Sequence, residues 1–243
     1  MHRLVLKAQG QRYKEPEESD DSLTSDDEDE VSEGIVGRIF SNSYLCIKYL
    51  GKGTFSKVWM VCDLRDGKFY AMKMQLPEYI EDTEHEISIL NKINHIYNSE
   101  SRIGKLYEHF KEQIEGKVYY CLIIELLGES VSYIYDVFEE DMIPMDIIRR
   151  ILKDLLLGVG EFHIKRIIHT DLKMENILIT QLGRSKRELI EWFNSLNSQE
   201  YIENFINENI PENLNELNKG KKKNVKRKIR DRAYKHFSHF FLN

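Results

Sequence analysis

Apolar residues change their spacing once along this chain, at Glu125, and that change restricts its fold more than any other feature. Before it, short apolar or alternating runs occur at Tyr44–Leu50, Lys57–Asp63, Phe69–Met74, Lys105–Phe110 and Lys117–Glu125, bounded by Gly, Asp or charged pairs. That is the pattern of antiparallel strands, with Arg65-Asp66-Gly67-Lys68 as the turn joining the second to the third. One stretch departs from it. Between Ile80 and Ile93 the apolar residues Ile87, Leu90 and Ile93 fall on one helical face, with Glu81, Glu84 and His85 elsewhere, which predicts an amphipathic helix. After Glu125 the period becomes helical. Pro144 suits a helix start, and Ile147, Ile148, Ile151, Leu152, Leu155, Leu156, Val159 and Phe162 repeat on one stripe for about five turns. Strands followed by helices define an α+β chain.

The two ends have a different composition. From Glu15 to Glu33 there are eleven carboxylates, no Lys or Arg and no aromatic residue, too little apolar surface to offset the entropy of ordering. Residues 1–35 are therefore expected to form a disordered acidic tail. Residues 1–40 hold eleven Asp/Glu against five Lys/Arg, which accounts for the whole net charge of -6. Past Gln181 the chain drifts into an Asn- and Glu-rich stretch over 191–218, then a basic run, Lys219 to Arg232, with nine Lys/Arg. Residues 181–243 read as a low-complexity spacer with that basic run. Two short helices are plausible within it, one opened by a capping box at Ser185 and Glu188 and carrying Leu189, Ile190, Trp192 and Phe193, the other carrying Tyr201, Ile202, Phe205 and Ile206.

With 41% hydrophobic residues in 243, a sizeable core can form, yet the longest apolar run, Val118 to Ile124, is seven residues, too short to span a membrane. Cys46, Cys62 and Cys121 lie far apart, so no disulfide framework or Cys-based zinc site is expected. These readings point to a soluble intracellular protein in a reducing compartment, with no membrane partner.

Three constellations carry chemistry. The turn Leu50-Gly51-Lys52-Gly53-Thr54-Phe55-Ser56-Lys57-Val58 has glycines where backbone N–H groups could approach phosphate oxygens, although two glycines in a strand turn are more often only a turn. Lys73 stands twenty residues beyond Gly53 in Phe69-Tyr70-Ala71-Met72-Lys73-Met74, and an ammonium within a short apolar strand needs a partner. Glu86 on the following helix is the natural one. The plain alternatives are an edge lysine reaching solvent and a glutamate on a solvated face. The third segment, Ile168-His169-Thr170-Asp171-Leu172-Lys173-Met174-Glu175-Asn176-Ile177, fits H-x-D-x-K-x-x-N between apolar flanks. Asp171 can accept or orient a hydroxyl proton, Lys173 can offset charge on a transferring phosphoryl group, and Asn176 can give an amide oxygen to Mg²⁺. His169 is better read as a packed structural side chain.

With these residues the chain resembles the eukaryotic protein kinases. Phe55-Ser56, Val58-Trp59, Ala71-Met72-Lys73, Glu125-Leu126-Leu127-Gly128-Glu129, Leu155-Leu156-Leu157-Gly158 and His169-Thr170-Asp171 together look like the SR-protein kinases. The related LAMMER-type kinases share His-Thr-Asp and a Glu-Leu-Leu-Gly hinge but usually keep a third loop glycine where this chain has Ser56. The resemblance spans residues 36–180. It implies a protein-kinase-like fold: an antiparallel five-stranded N-lobe with one regulatory helix to about residue 125, then the first helices of the helical C-lobe over 126–180. It implies an ATP site in which Leu50 and the stretch Gly51, Lys52, Gly53, Thr54, Phe55, Ser56, Lys57 and Val58 cover the nucleotide. Lys73, paired to Glu86, contacts the α- and β-phosphates. Val58, Ala71 and Leu178 sandwich adenine below Ile124 at the gate, and backbone groups of Glu125 and Leu127 bond to the base. Asp171 and Lys173 are the implied catalytic residues and Asn176 the metal ligand, with ATP and Mg²⁺ as cofactors. Lys173 points to serine/threonine transfer, and the family implies Arg/Ser-rich protein substrates. Met174 stands where Pro is usual.

The resemblance has a limit. No Asp-Phe-Gly, Asp-Leu-Gly or Ala-Pro-Glu follows Asn176 in the remaining 67 residues, so the expected domain is incomplete and the isolated chain is expected to be inactive or nearly so. The expected function is ATP-dependent serine/threonine kinase of the SR-protein-kinase type, from a longer parent or as a short product. The alternatives are a LAMMER-type kinase and a non-catalytic nucleotide-binding or interaction module. Ser19, Ser22 and Ser25 lie among carboxylates in a pattern that acidophilic kinases favour. Lys221-Lys222-Lys223 and Lys226-Arg227-Lys228 resemble a nuclear-import signal, so a mixed cytoplasmic and nuclear distribution is expected. Nucleic-acid binding is disfavoured, since the basic run has no aromatic residue before Tyr234.

Overall fold

A computed structural model describes residues 6–8, 34–53, 55–94, 101–137 and 143–242. The expected acidic stretch Glu15 to Glu33 and the loop residue Thr54 lie outside the described residues. The central element is a six-stranded antiparallel sheet of β2 (Ile39–Phe40), β3 (Tyr44–Lys52), β4 (Ser56–Asp63), β5 (Lys68–Gln75), β6 (Leu106–Ile114) and β7 (Lys117–Ile124), ordered β2-β3-β4-β5-β7-β6. All five strands expected from the spacing are present, and β2 adds a sixth. The β4–β5 turn forms where the sequence placed it: Gly67 adopts φ +72°, its N–H donates to the Asp63 carbonyl at 2.8 Å, and Asp66 accepts from the Lys68 amide at 3.1 Å. One face of the sheet closes over Phe40, Tyr44, Trp59, Val61, Met72 and Ile123.

The opposite face has three neighbours. Helix α1 (Ile80–Asn94) sets Ile87, Leu90 and Ile93 against Leu106 and Leu122 of the sheet and against Phe162 of α3 (Met145–Ile164). The loop entering β6 is also tied to α3: the Ser101 hydroxyl and the Arg102 amide both donate to Glu161 at 2.6 Å, and Arg102 Nε donates to Asp154 at 2.6 Å. Helix α2 (Val131–Val137) packs with α3 and the short strand β8 (Ile177–Ile179) around Ile134, Ile151 and Ile177. The apolar stripe of α3 is wider than the surface covering it. Ile151 and Phe162 are buried, but Leu156 on the far edge is 71% exposed and Leu152 49%.

The third neighbour departs from the sequence reading. Residues 181–243, expected as a low-complexity spacer with two short helices, form α4 (Arg184–Ser195) and α5 (Ser198–Glu208) where those two were expected and a longer helix, α6 (Lys219–Leu242), over the basic run. They share one core with the sheet, in which Phe193, Ile202, Ala233, Tyr234 and Phe237 meet Leu45, Ile47, Cys62 and Leu64. The physical reason is that Asn- and Lys-rich segments need only one apolar residue per turn to dock. Ile229, Ala233 and Phe237, four residues apart, are the buried row of α6. The capping box is not formed. Gly183 occupies the N-cap of α4 with no side-chain cap bond, which places Ser185 two residues past the cap position, inside the first turn.

Order also begins earlier than expected. Ile35 and Val36 pack on the first core, and the Gly37 N–H donates to the Cys46 carbonyl at 2.8 Å. Within the expected tail, Leu6–Ala8 form β1, parallel to β8 with Leu6 opposite Ile177 and Ala8 opposite Ile179. The apolar run Leu4-Val5-Leu6 differs in composition from the carboxylate-rich stretch after it, and β8 offers it an edge.

Phe237 is fully buried between the sheet and α4. Phe237→Ala should lower unfolding stability by about 3–5 kcal/mol in urea titrations, a loss that a loosely attached spacer would not produce.

Candidate functional site

The face of the sheet that meets α4–α6 at one end carries the expected chemistry at the other. In an antiparallel sheet directly opposed residues share a face. Val58, Lys73 and Leu122 stand in one such row, and Met60, Ala71 and Ile124 in the next. Lys73 is therefore held in mid-sheet by apolar neighbours on both sides. Its ammonium reaches Glu86 of α1, donating to both carboxylate oxygens at 2.7 and 2.8 Å. Both residues are buried, at 8% and 4% exposure, so the plain readings of an edge lysine and a solvated glutamate do not hold. Gln75, two residues along the same strand, adds an N–H bond to Glu86 at 3.1 Å. Sequence reasoning missed Gln75, although its even spacing from Lys73 was a usable signal for a shared face.

The glycine turn joins β3 to β4. Gly51 lies opposite Val58 at φ +154°, where a side chain is strained, and a Cβ there would meet no atom within 4 Å, so the loop presents open backbone. The turn is closed by the Gly53 N–H donating to the Ser56 carbonyl at 2.7 Å, with Lys52 opposite Lys57. Ser56, in the position of a third glycine, is buried and lies opposite Gln75. The Phe55 ring packs 4.5 Å from that of Tyr79, just before α1, and the Phe55 carbonyl accepts from the Leu76 amide at 3.0 Å. Loop and helix are thus fastened to each other.

Glu125 to Glu129 leave the sheet toward α2. The Glu125 N–H donates to the Lys105 carbonyl at 2.9 Å, and the Lys105 N–H donates to the Glu125 carboxylate at 3.3 Å. Leu127 is buried. Gly128 donates to the Ile179 carbonyl at 2.8 Å, and Ile179 donates to the Glu129 carbonyl at 3.0 Å. A Cβ on Gly128 would stand 2.0 Å from the Gln181 carbonyl oxygen, so only glycine fits. A bridge from Ser130 to Leu178 completes the contact. Leu178 is thereby fixed beside the segment that carries Glu125 and Leu127.

The segment before β8 makes its own lattice of bonds. Asn176 is buried, and its amide N–H₂ donates to the Asp171 carbonyl at 2.8 Å and to the Asp171 carboxylate at 3.0 Å, which turns its amide oxygen away as a free donor atom for a cation. The Lys173 ammonium stands 3.5 Å from the other Asp171 oxygen. His169 is buried edge-on to Phe162 of α3, ring centroids 5.5 Å apart, the structural role expected of it. Thr170 adopts φ +60° while the Asp171 N–H donates to the His169 carbonyl at 2.8 Å, a three-residue turn that holds a β-branched residue in a strained region. The strain sits next to the Asp171 carboxylate.

The fit of a divalent cation rests on Asn176, whose amide oxygen is a donor of the type Mg²⁺ takes, since the Asp171 carboxylate already faces the Asn176 N–H₂ and the Lys173 ammonium. It supplies one corner of a coordination shell. Residues 177–243 hold no acidic tripeptide of the Asp-Phe-Gly kind to supply another.

Comparison with known proteins agrees with this geometry. Residues 44–190 match the family described as protein kinase domain. The serine/threonine-protein kinase SKY1 of Saccharomyces cerevisiae is 34% identical over 145 residues, covering 56% of this chain and 20% of that protein. The serine/threonine-protein kinase SRPK of Physarum polycephalum is 32% identical over 155 residues, covering 61% of this chain and 36% of its own length. Human SRSF protein kinase 3 is 29% identical over 188 residues, 72% of this chain and 33% of the relative. A kinase-domain crystal structure superposes with a TM-score of 0.55 at 28% identity, over 60% of this chain and 42% of that one. The matched region thus spans between 20% and 42% of the length of these proteins.

Removing one partner of the Lys73–Glu86 pair leaves the other buried and uncompensated. Lys73→Met should cost about 3–5 kcal/mol in denaturant titration, and Lys73→Met combined with Glu86→Leu should recover most of that loss. Equal losses for the single and double variants would show that the pair is not desolvated in solution.

Proposed function

This chain belongs to the protein kinase domain family, and from that premise we propose that it carries the ATP-binding half of a serine/threonine kinase of the SR-protein-kinase type, whose substrates are Arg/Ser-rich proteins. The observation that carries the reading is the buried two-point bond between Lys73 and Glu86, which fixes an ammonium under the open backbone of the Gly51–Gly53 turn.

In this reading the roles follow from position. Gly51 and Gly53, with their neighbours from Leu50 to Val58, lie over the nucleotide, and Lys73 donates to its α- and β-phosphates while Glu86 holds it in place. Val58, Ala71 and Leu178 enclose the base, which the Glu125 carbonyl and the Leu127 backbone orient. Asp171 accepts the proton of the attacking hydroxyl, positioned by the Asn176 N–H₂ bonds to its carbonyl and carboxylate. Lys173, half exposed beside Asp171, meets the transferring phosphoryl group. Through its amide oxygen Asn176 would hold Mg²⁺, which when bound neutralises charge on the phosphate oxygens.

A second reading, a nucleotide-binding module without transfer, is favoured for residues 1–243 by one observation: residues 177–243 hold no Asp-Phe-Gly. A test with both arms uses the 243-residue chain. A fluorescent ATP analogue should bind with Mg²⁺ present, Lys73→Ala should weaken it by at least about tenfold, and Asp171→Ala should leave it within about twofold, since Asp171 meets the hydroxyl rather than the base. Transfer to an Arg/Ser peptide should stay at background for the isolated chain. Strong transfer abolished by Asp171→Ala would assign full activity to these residues, and failure to bind nucleotide would sink both readings. Cytoplasmic and nuclear distribution belongs to the same proposal: residues 215–243 fused to a reporter too large for passive entry should carry it into the nucleus.

A further inference from the structure

Helix α6 has two dissimilar halves. Its C-terminal half is bound to the sheet through Ala233, Tyr234, Phe237 and Ser238, all buried. Its N-terminal half, with most of the nine cations between Lys219 and Arg232, faces solvent. Where the halves meet, Arg227 and Arg230 line a cleft of about 270 Å³ against the β2–β3 turn, Ser41 to Ser43, with Arg65 and Asp231. Arg65 is already neutralised, since it donates to both oxygens of Asp63 at 2.6–2.9 Å. The Arg227 guanidinium donates to the neutral amide oxygen of Asn224 at 3.0 Å and keeps its charge. With Arg65 balanced by Asp63, the cleft retains two cations, Arg227 and Arg230, against the single carboxylate Asp231.

The chain enters the fold beside this helix. The Ser238 hydroxyl donates to the Gly37 carbonyl, and a Cβ on Gly37 would strike the Leu242 side chain. From Ser238 back to Arg230 is eight residues of helix, about 12 Å, and back to Lys219 about 29 Å. Extended chain covers about 3.3 Å per residue. Residues 26–33 upstream of Gly34 thus reach the cleft, and the acidic stretch as a whole reaches the length of the basic half. It carries eleven carboxylates and no cation between Glu15 and Glu33. Tethering of this kind gives an effective concentration in the millimolar range. Single-stranded nucleic acid, the competing polyanion, lacks its usual stacking surface here, because Tyr234 and Phe237 are buried against the sheet.

We propose that the basic half of α6, with the cleft at Arg227 and Arg230, is a docking surface for this chain's own acidic segment, residues 15–33. Occupied in this way, the helix withholds its cations from other polyanions until the segment is displaced.

Carbodiimide coupling of the full chain, mixed in equal parts with ¹⁵N-labelled full chain, tests this directly. The expected products join carboxylates of Asp20 to Glu33 to Lys221, Lys222, Lys223, Lys226 or Lys228 within one chain, unlabelled to unlabelled or labelled to labelled. Their yield should fall on the order of fivefold between 0.05 and 0.5 M NaCl, as screening shortens the reach of exposed charges. The paired variant Arg227→Glu and Arg230→Glu should lower it similarly. Mixed-label products would assign the surface to a second copy, and salt-independent or absent products would remove docking altogether. A second full-chain variant leaves the folded part untouched: Asp20, Asp21, Asp26, Asp27 and Asp29 changed to Asn, with Glu28 and Glu30 changed to Gln. Acetylation of the α6 lysines should then be several-fold faster than in the native chain and its affinity for a single-stranded RNA 20-mer higher. Unchanged rates and affinity overturn the proposal.

Discussion

An ammonium group placed in the middle of an apolar sheet face must be answered by a carboxylate, and the arrangement of this protein follows from how Lys73 is answered. Glu86 can reach it only if α1 lies across β5 and β7 at one rotation. Ile87, Leu90 and Ile93 set that rotation by packing on Leu106, Leu122 and Phe162. Phe162 belongs to α3, so the position of one carboxylate on the sheet depends on a helix of the following region. Arg102 reinforces the dependence from the surface by bonding to Asp154 of α3. His169, packed on the same Phe162, carries it onward to the turn at Thr170 and the carboxylate of Asp171. Lys73 and Glu86 and the loop residues near β8 are therefore parts of one packed arrangement.

Much of this was legible in the sequence because the signals were local or chemically forced. The strands declared themselves by short apolar runs, α1 and α3 by spacing, and the pairing of Lys73 with Glu86 by the cost of an unanswered buried charge. The link between Asp171 and Asn176 is a bond between residues five apart. The hidden contacts were of longer range. Glycine at 128 is demanded by the Gln181 carbonyl, fifty residues downstream, and nothing in the neighbourhood of Gly128 announces it.

The docking of residues 184–242 on the sheet, and α6 itself, were obscured for a different reason. The composition of this layer resembles that of segments that cannot build a core, and alone it cannot. It folds because the sheet supplies the other half of the core. The clue lay in β3, where Tyr44, Leu45, Cys46 and Ile47 are apolar in succession rather than alternately, as a strand covered on both faces requires. The burial of Cys62 between these layers also pushes its thiol well above its usual range of ionisation, so it acts as apolar filling rather than as a nucleophile.

The close approach at Gly128 has a mechanical consequence. With its N–H bonded to Ile179, no space for a side chain and the Ser130 bridge just beyond, the chain from Gly128 onward is riveted to β8. Any rotation of the sheet relative to α2 and β8 must therefore be taken up before Gly128, in Glu125, Leu126 and Leu127. A ligand held by the backbone there would sit on the axis of that rotation, where displacement is smallest, while the Gly51–Gly53 turn, three strands away, would move through a longer arc.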